Sequence, residues 1–279
     1  TLTQVKAMML VTVWVFIGVE GASVFSERAR ERRDVGRATI TGFASVLALL
    51  LLVNLLSYGI APREDIAELD DPSMSGVLTE AVGPWGAKFI AAGLAISLIG
   101  ALLSWFLMCA EILRVPALDG TMPRWFSREN KNGTPVGAMW LTSGMIQLVL
   151  IWTYFVGSNY TRLILLASAL ILIPYLFSAA FHLINSFRNR ERSGIGNIII
   201  GTLGTAYAIW LLYAAGPTYL LFVGLFYLAG TPFYIVARKQ AGEKIFTTID
   251  WIVLAIFSLT SVYAIYGLYM GFYADALSG

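Results

Sequence analysis

Apolar residues run through this chain in blocks of about twenty, separated by shorter polar segments, a length that carries an α-helix across the hydrocarbon of a bilayer. Eight windows carry the pattern, at about residues 5–25, 36–60, 86–113, 136–156, 162–187, 195–215, 217–237 and 249–273. The strict alternation and ten-residue segmentation of barrel strands are absent. Hydrocarbon offers no water to backbone N–H and C=O groups, so each block is predicted to be a helix that satisfies its own. The expected fold class is all-α: a polytopic membrane protein of about eight transmembrane helices, forming one transmembrane domain over residues 1–279. The polar stretch 61–85 is too long for a tight turn. It predicts an external segment with a short surface helix over 73–82, opened by Pro72.

Composition agrees with this reading and narrows function. Hydrophobic residues make up 58% of the chain, charged residues only 13%, and the mean hydropathy is +0.73. A soluble domain carries about a quarter charged residues. The net charge of +2 gives no footprint for nucleic acid. A single cysteine, Cys109, forms no internal disulfide, and with one histidine, His182, it makes a metal or His-based catalytic centre unexpected. No Walker loop, HExxH, GxSxG or paired-cysteine pattern occurs, so neither an enzyme nor a bound cofactor is predicted.

Basic residues set the orientation. Loops one, three, five and seven hold 15 of the 19 Lys and Arg residues, including Arg28, Arg30, Arg32, Arg33 and Arg37 in the first. The second loop is acidic, with Glu64, Asp65, Glu68, Asp70, Asp71 and Glu80. Positive-inside bias places the odd loops in the cytoplasm and both ends of residues 1–279 outside. The chain opens at Thr1 with no signal peptide and moves straight into a span. An outside start without a signal leads to the expectation that an odd number of helices precedes it in a longer protein.

Ionisable groups inside spans are costly, about 2.5–3.5 kcal/mol at a helix centre on insertion scales, and are kept for function. Glu20 stands in Phe16-Ile17-Gly18-Val19-Glu20-Gly21-Ala22-Ser23, with glycines on both sides. Glycine weakens a helix by about 1 kcal/mol relative to Ala. Unwound backbone beside a carboxylate suits a cation, and transporters build substrate sites from such discontinuous helices. The competing reading is helix packing through small residues, with Glu20 paired to a basic group. Trp14 and Trp105 lie well inside their spans, whereas the other six tryptophans fall near span ends or in loops. A tryptophan at that depth offers a face to a cation or simply packs a helix, and both readings stand. Trp14 and Glu20 are six positions apart, about 240° around an ideal helix, so they face one ligand only if the helix is distorted at Gly18–Gly21. Glu111 is expected to pair with Arg114 at i+3. His182 lies close to the inner interface, and Asn54 and Gln147 are expected in interhelical hydrogen bonds. Ser168, six residues before Pro174, sits where a proline-disturbed span exposes backbone.

These residues carry a resemblance. Trp14-Val15-Phe16-Ile17-Gly18-Val19-Glu20-Gly21-Ala22-Ser23, followed by Arg33-Asp34-Val35-Gly36-Arg37-Ala38-Thr39, resembles the sixth helix and following loop of the basic amino acid/polyamine antiporters. They form a group within the amino acid–polyamine–organocation superfamily, and the chain is most similar to its arginine/ornithine exchangers. Ser104-Trp105, Asp119-Gly120-Thr121-Met122-Pro123, Glu129-Asn130-Lys131-Asn132-Gly133-Thr134-Pro135 and Ile173-Pro174-Tyr175-Leu176 support it over nearly the whole chain. The resemblance implies two inverted five-helix repeats, with this chain running from helix six to helix thirteen, in a bacterial cytoplasmic membrane. It implies a substrate-capping role for Trp14 and a backbone carbonyl contact to the substrate amino group at Ile17. Gly18 and Gly21 would flank the broken segment, Glu20 would gate or couple, and Trp105 would pack on a cationic side chain. Ser168 matches a substrate position only to within about a residue.

The function so implied is exchange of arginine for ornithine by alternating access, with a small cationic amino acid and the lipid bilayer as partners. Exchange of lysine for cadaverine or arginine for agmatine is the alternative within transport. A membrane-embedded enzyme would need a second ionisable group facing Glu20, and the spans offer none that convinces. A receptor would bind substrate without moving it. Gly267 and Gly271 form a GxxxG pair compatible with a homodimer.

Overall fold

The computed structural model of the protein describes residues 2–70, 72–156 and 160–270. Ten α-helices follow one another: α1 (Leu2–Phe16), α2 (Gly21–Val24), α3 (Arg32–Ser57), α4 (Arg63–Ala67), α5 (Ser73–Val82), α6 (Trp85–Leu118), α7 (Val136–Val156), α8 (Tyr160–Arg188), α9 (Arg190–Ala241) and α10 (Thr248–Tyr269). Short 3-10 turns cover Ser26–Arg28 and Arg124–Ser127. Among the described residues the β-structure is one isolated bridge, pairing Glu129 with Pro135. The fold is all-α, as the apolar blocks predict, and the surface helix expected over 73–82 is α5. Gly271, half of the 267–271 pair, lies outside the described residues.

Among the described residues six helices are long and apolar enough to cross a membrane. The eight windows do not map onto them one to one, for two physical reasons. The first window falls on α1 and α2, which are separated by a non-helical break at residues 17–20. The windows 195–215 and 217–237 fall on the single stretch Gly194–Ala241. Straight, its 48 residues would extend about 72 Å, more than twice the roughly 30 Å of hydrocarbon. It is kinked at Gly216, whose φ of 78° and ψ of 163° are non-helical. Pro217 disfavours helical backbone in the residue before it and brings no N–H of its own, and glycine accepts the resulting conformation without a Cβ clash. At its far end α9 stops in a Schellman turn. Gly242 is left-handed, its N–H donates to the Lys239 carbonyl at 3.2 Å, and Glu243 N–H donates to that of Arg238 at 3.1 Å.

The chain forms two compact units. One holds the residues up to Ile17, Ala117–Arg124 and those from Ile146 onward; the other holds Gly18–Pro116 and Trp125–Met145. In the first, α1 packs on α8 and α9, and α9 packs on α8 and α10. Its core is Leu10 and Val13 of α1 against Leu172 of α8 and Leu211 and Ala215 of α9. Small residues let these helices close up: a Cβ on Gly201 would lie 2.9 Å from Leu183 Cα, and one on Gly224 would collide with Thr260 Oγ1. In the second unit α2 packs on α3, α4 packs on α5, and Phe126 is fully buried. The most apolar stretches of α3 and α6 bury none of their residues inside the protein. Apolar area on that scale is incompatible with a water-facing surface and fits a lipid environment. Asn54 differs from expectation: its amide donates to the Leu50 carbonyl one turn back at 2.8 Å, within α3 and not between helices.

The α8–α9 approach yields a prediction. Gly201→Leu should cost about 1–3 kcal/mol through overpacking against the α8 backbone. A lowered unfolding temperature of the purified protein in detergent checks it, and Gly204→Ala, whose Cβ would meet Ala179 Cβ at an ordinary 3.7 Å, serves as the mild control.

Candidate functional site

The site begins with the backbone of the first helix. The α1 ladder ends with Ile17 N–H donating to the Val13 carbonyl at 3.0 Å and to that of Trp14 at 3.2 Å. Gly18 then turns to φ +106°, a conformation L side chains rarely adopt. Its N–H finds no helical carbonyl and donates instead to Glu20 Oε2 at 2.9 Å. The helix restarts when Gly21 N–H bonds the Gly18 carbonyl at 3.0 Å and Ser23 and Val24 N–H groups bond that of Glu20 at 2.7 and 3.1 Å. Glu20 therefore stands at the N-cap of α2 and bonds backward into the break. That position also sets its carboxylate near the positive end of a helical turn. Among the described residues no donor reaches the Ile17 carbonyl, which leaves it available to a ligand.

Trp105 of α6 covers this turn. A Cβ on Gly18 would lie 3.2 Å from Trp105 Cζ2 and 3.5 Å from Cη2, so the indole rests on backbone that only glycine leaves open. One turn along α6, Met108 takes the same role toward Gly21, with Sδ 3.5 Å from where its Cβ would be. Trp105 remains 38% exposed, so part of the ring is free to meet another molecule. The arrangement gathers a carboxylate, a positive-φ glycine turn and an aromatic face, which together suit a cationic group with an apolar stem.

Gly18, Glu20, Gly21 and Trp105 thus come together in one unit. Trp14, Ile17 and Ser168 belong to the other. Trp14 is half-buried on α1, and Ile17 packs against the core of Leu10, Val13 and Leu172. Ser168 on α8 is fully buried, and among the described residues its hydroxyl has no hydrogen-bond partner. Backbone is freed near it, as Pro174 predicts, but the freed carbonyl is that of Leu170, and the Tyr227 hydroxyl donates to it at 3.3 Å. Sequence reasoning missed Tyr227; the signal was present, because a proline inside a helix leaves the carbonyl four residues back in need of a donor. Among the described residues no three His, Cys, Asp or Glu side chains are placed to hold a metal ion.

The sequence model of the amino acid permease family matches residues 2–269. This chain belongs to the amino acid permease family. Curated relatives of this permease-family chain include an arginine/ornithine antiporter of Pseudomonas aeruginosa, 46% identical over 97% of the chain and 58% of the relative. A putative arginine/ornithine antiporter of Escherichia coli is 41% identical over 93% of the chain and 55% of the relative. An L-lysine transport protein of Corynebacterium glutamicum is 36% identical over 96% of the chain and 57% of the relative. The chain thus spans somewhat more than half the length of these relatives. Family membership and the long apolar helices make it a multi-pass membrane protein.

For this permease-family chain, Gly18→Ala is expected to meet both the positive φ and the Trp105 ring. A cost of about 1–3 kcal/mol is predicted for the strained backbone alone. Thermal unfolding of the full-length variant in detergent reads it; an unfolding temperature equal to wild type would contradict the close approach.

Proposed function

We propose that the chain forms the later part of a secondary transporter that exchanges arginine for ornithine across a bacterial cytoplasmic membrane by alternating access. The observation that carries the proposal is the break at residues 17–20, where a carboxylate and an unengaged carbonyl lie on interrupted helix inside an apolar block. The similarity to arginine/ornithine antiporters supports the same substrate class.

In this reading Glu20 makes the pathway favourable to cations, and its bond from Gly18 N–H ties the charge to the shape of the turn. The Ile17 carbonyl accepts from the substrate α-ammonium group. Trp105 packs along the aliphatic stem and guanidinium, and Trp14 closes over the bound amino acid from the outer half of the helix. The Ser168 hydroxyl, without a hydrogen-bond partner among the described residues, is the weaker member of the set. Arginine and ornithine carry the same charge near neutral pH, so one-for-one exchange moves no net charge and needs no nucleotide. The distribution of basic loops supports cytoplasmic odd-numbered loops, with both ends of residues 1–279 on the outer side.

Exchange of labelled arginine against internal ornithine by the full-length protein in proteoliposomes tests the assignment. Glu20→Gln and Trp105→Leu should each lower the rate about tenfold or more, the equivalent of a lost contact of about 1.4 kcal/mol. Wild-type rates in both would contradict it. The lysine-transport relative favours a second reading, in which lysine is the substrate. Lysine displacing labelled arginine more effectively than ornithine does would select it.

A further inference from the structure

A charged cluster at the end of α6 lies outside the residues assigned to substrate. Arg114, with 15% of its side chain exposed, donates through Nη1 to Glu111 Oε1 at 2.9 Å and through Nε to Glu129 Oε1 at 2.6 Å. Its Nη1 also reaches Glu27 Oε2 at 3.5 Å. The partners come from three places: Glu111 from one turn earlier on α6, Glu129 from the loop between α6 and α7, and Glu27 from the 3-10 turn that follows α2. The i+3 pairing of Glu111 with Arg114 is the one the sequence predicts, and Glu111 is only 3% exposed. Glu27 differs from both neighbours. It makes the longest of the three contacts, and 48% of its side chain is exposed.

The same stretch of α6 carries Trp105 and Met108, on which Gly18 and Gly21 rest. The segment from Gly18 to Arg28 therefore touches α6 at its start through close apolar contacts and at its end through an ion pair. The start is a glycine hinge; the end is open to water. Breaking the pair at the end does not strand Arg114, because Glu111 and Glu129 still neutralise it, and Glu27 is already half solvated. A buried arginine with one carboxylate would resist opening, since its release would leave an uncompensated charge. The third carboxylate is what makes this contact releasable.

We propose that Arg114 is a latch post, with Glu27 the releasable catch that holds the inner arm of the broken helix, residues 18–28, against α6. This rests on the transport reading of the same helix, in which the arm moves as the inner side opens. Arg114 and Glu27 are positioning residues and touch no substrate. The surface exposure of Glu27 makes the catch sensitive to salt, since the screening length falls to about 3 Å at 1 M.

The test uses the full-length protein in proteoliposomes, comparing wild type with Glu27→Gln, Glu27→Asp and Arg114→Lys. Hydrogen–deuterium exchange of residues 21–28 is the first readout, and the ratio of inner to outer KM for arginine is the second. Glu27→Gln should speed amide exchange over 21–28 several-fold while residues 136–145 stay unchanged, and 1 M salt should do the same to wild type. The KM ratio should shift by about threefold or more, within the range expected of an exposed pair. Glu27→Asp should lie between, and Arg114→Lys should resemble Glu27→Gln because lysine lacks the guanidinium fork. Unchanged amide exchange over 21–28 in both Glu27→Gln and Arg114→Lys would overturn the latch. Wild-type protein that exchanges no cationic amino acid would overturn the transport reading instead, and the amide exchange would still decide the latch.

Discussion

In hydrocarbon a backbone N–H or C=O that leaves its helical ladder has no water to turn to, and each unsatisfied group costs several kcal/mol. Two places in this chain show that constraint at work. At Gly18 the displaced N–H is taken by the Glu20 carboxylate, so the charge is also the group that makes the break affordable. At Pro174 the carbonyl of Leu170 loses its donor and the Tyr227 hydroxyl, 57 residues away, supplies one. The Ile17 carbonyl, for which no donor is found among the described residues, lies in the same interrupted stretch of sequence.

The break also falls where the two compact units meet in sequence, between Ile17 and Gly18. Each arm of the helix is secured within its own unit. The arm before the break is held by Leu10 and Val13 in the apolar core with α8 and α9, a contact made of many small dispersion terms. The arm after it is held to α6 at discrete points, by Gly18 on Trp105, Gly21 on Met108 and Glu27 on Arg114. Core packing resists movement evenly, whereas point contacts can be released one at a time. The proposed latch draws on this asymmetry, since the arm after Gly18 is the one held by separable contacts.

Much of the fold was legible in the sequence because bilayer thickness imposes a length scale on apolar blocks. The glycines around Glu20 and the helix opened after Pro72 were readable because proline and glycine act on the backbone locally. Contacts across the chain were not readable. Nothing in local pattern tells that Trp105 lies on Gly18, that Arg114 gathers Glu27 and Glu129 as well as Glu111, or that Tyr227 serves Leu170. The windows 195–215 and 217–237 meet at Gly216, where one continuous helical stretch bends. Asn54 illustrates the reverse error, a polar side chain expected to reach a neighbour that instead bonds its own helix.

Substrate binding at the interrupted segment around Gly18–Glu20 is open to test by photo-crosslinking of the full-length protein with a photoreactive arginine analogue, followed by mass-spectrometric mapping. Arginine-protected labelling is expected on peptides containing Trp14–Gly21 and Trp105. Arginine-protected labelling confined to other segments would contradict it.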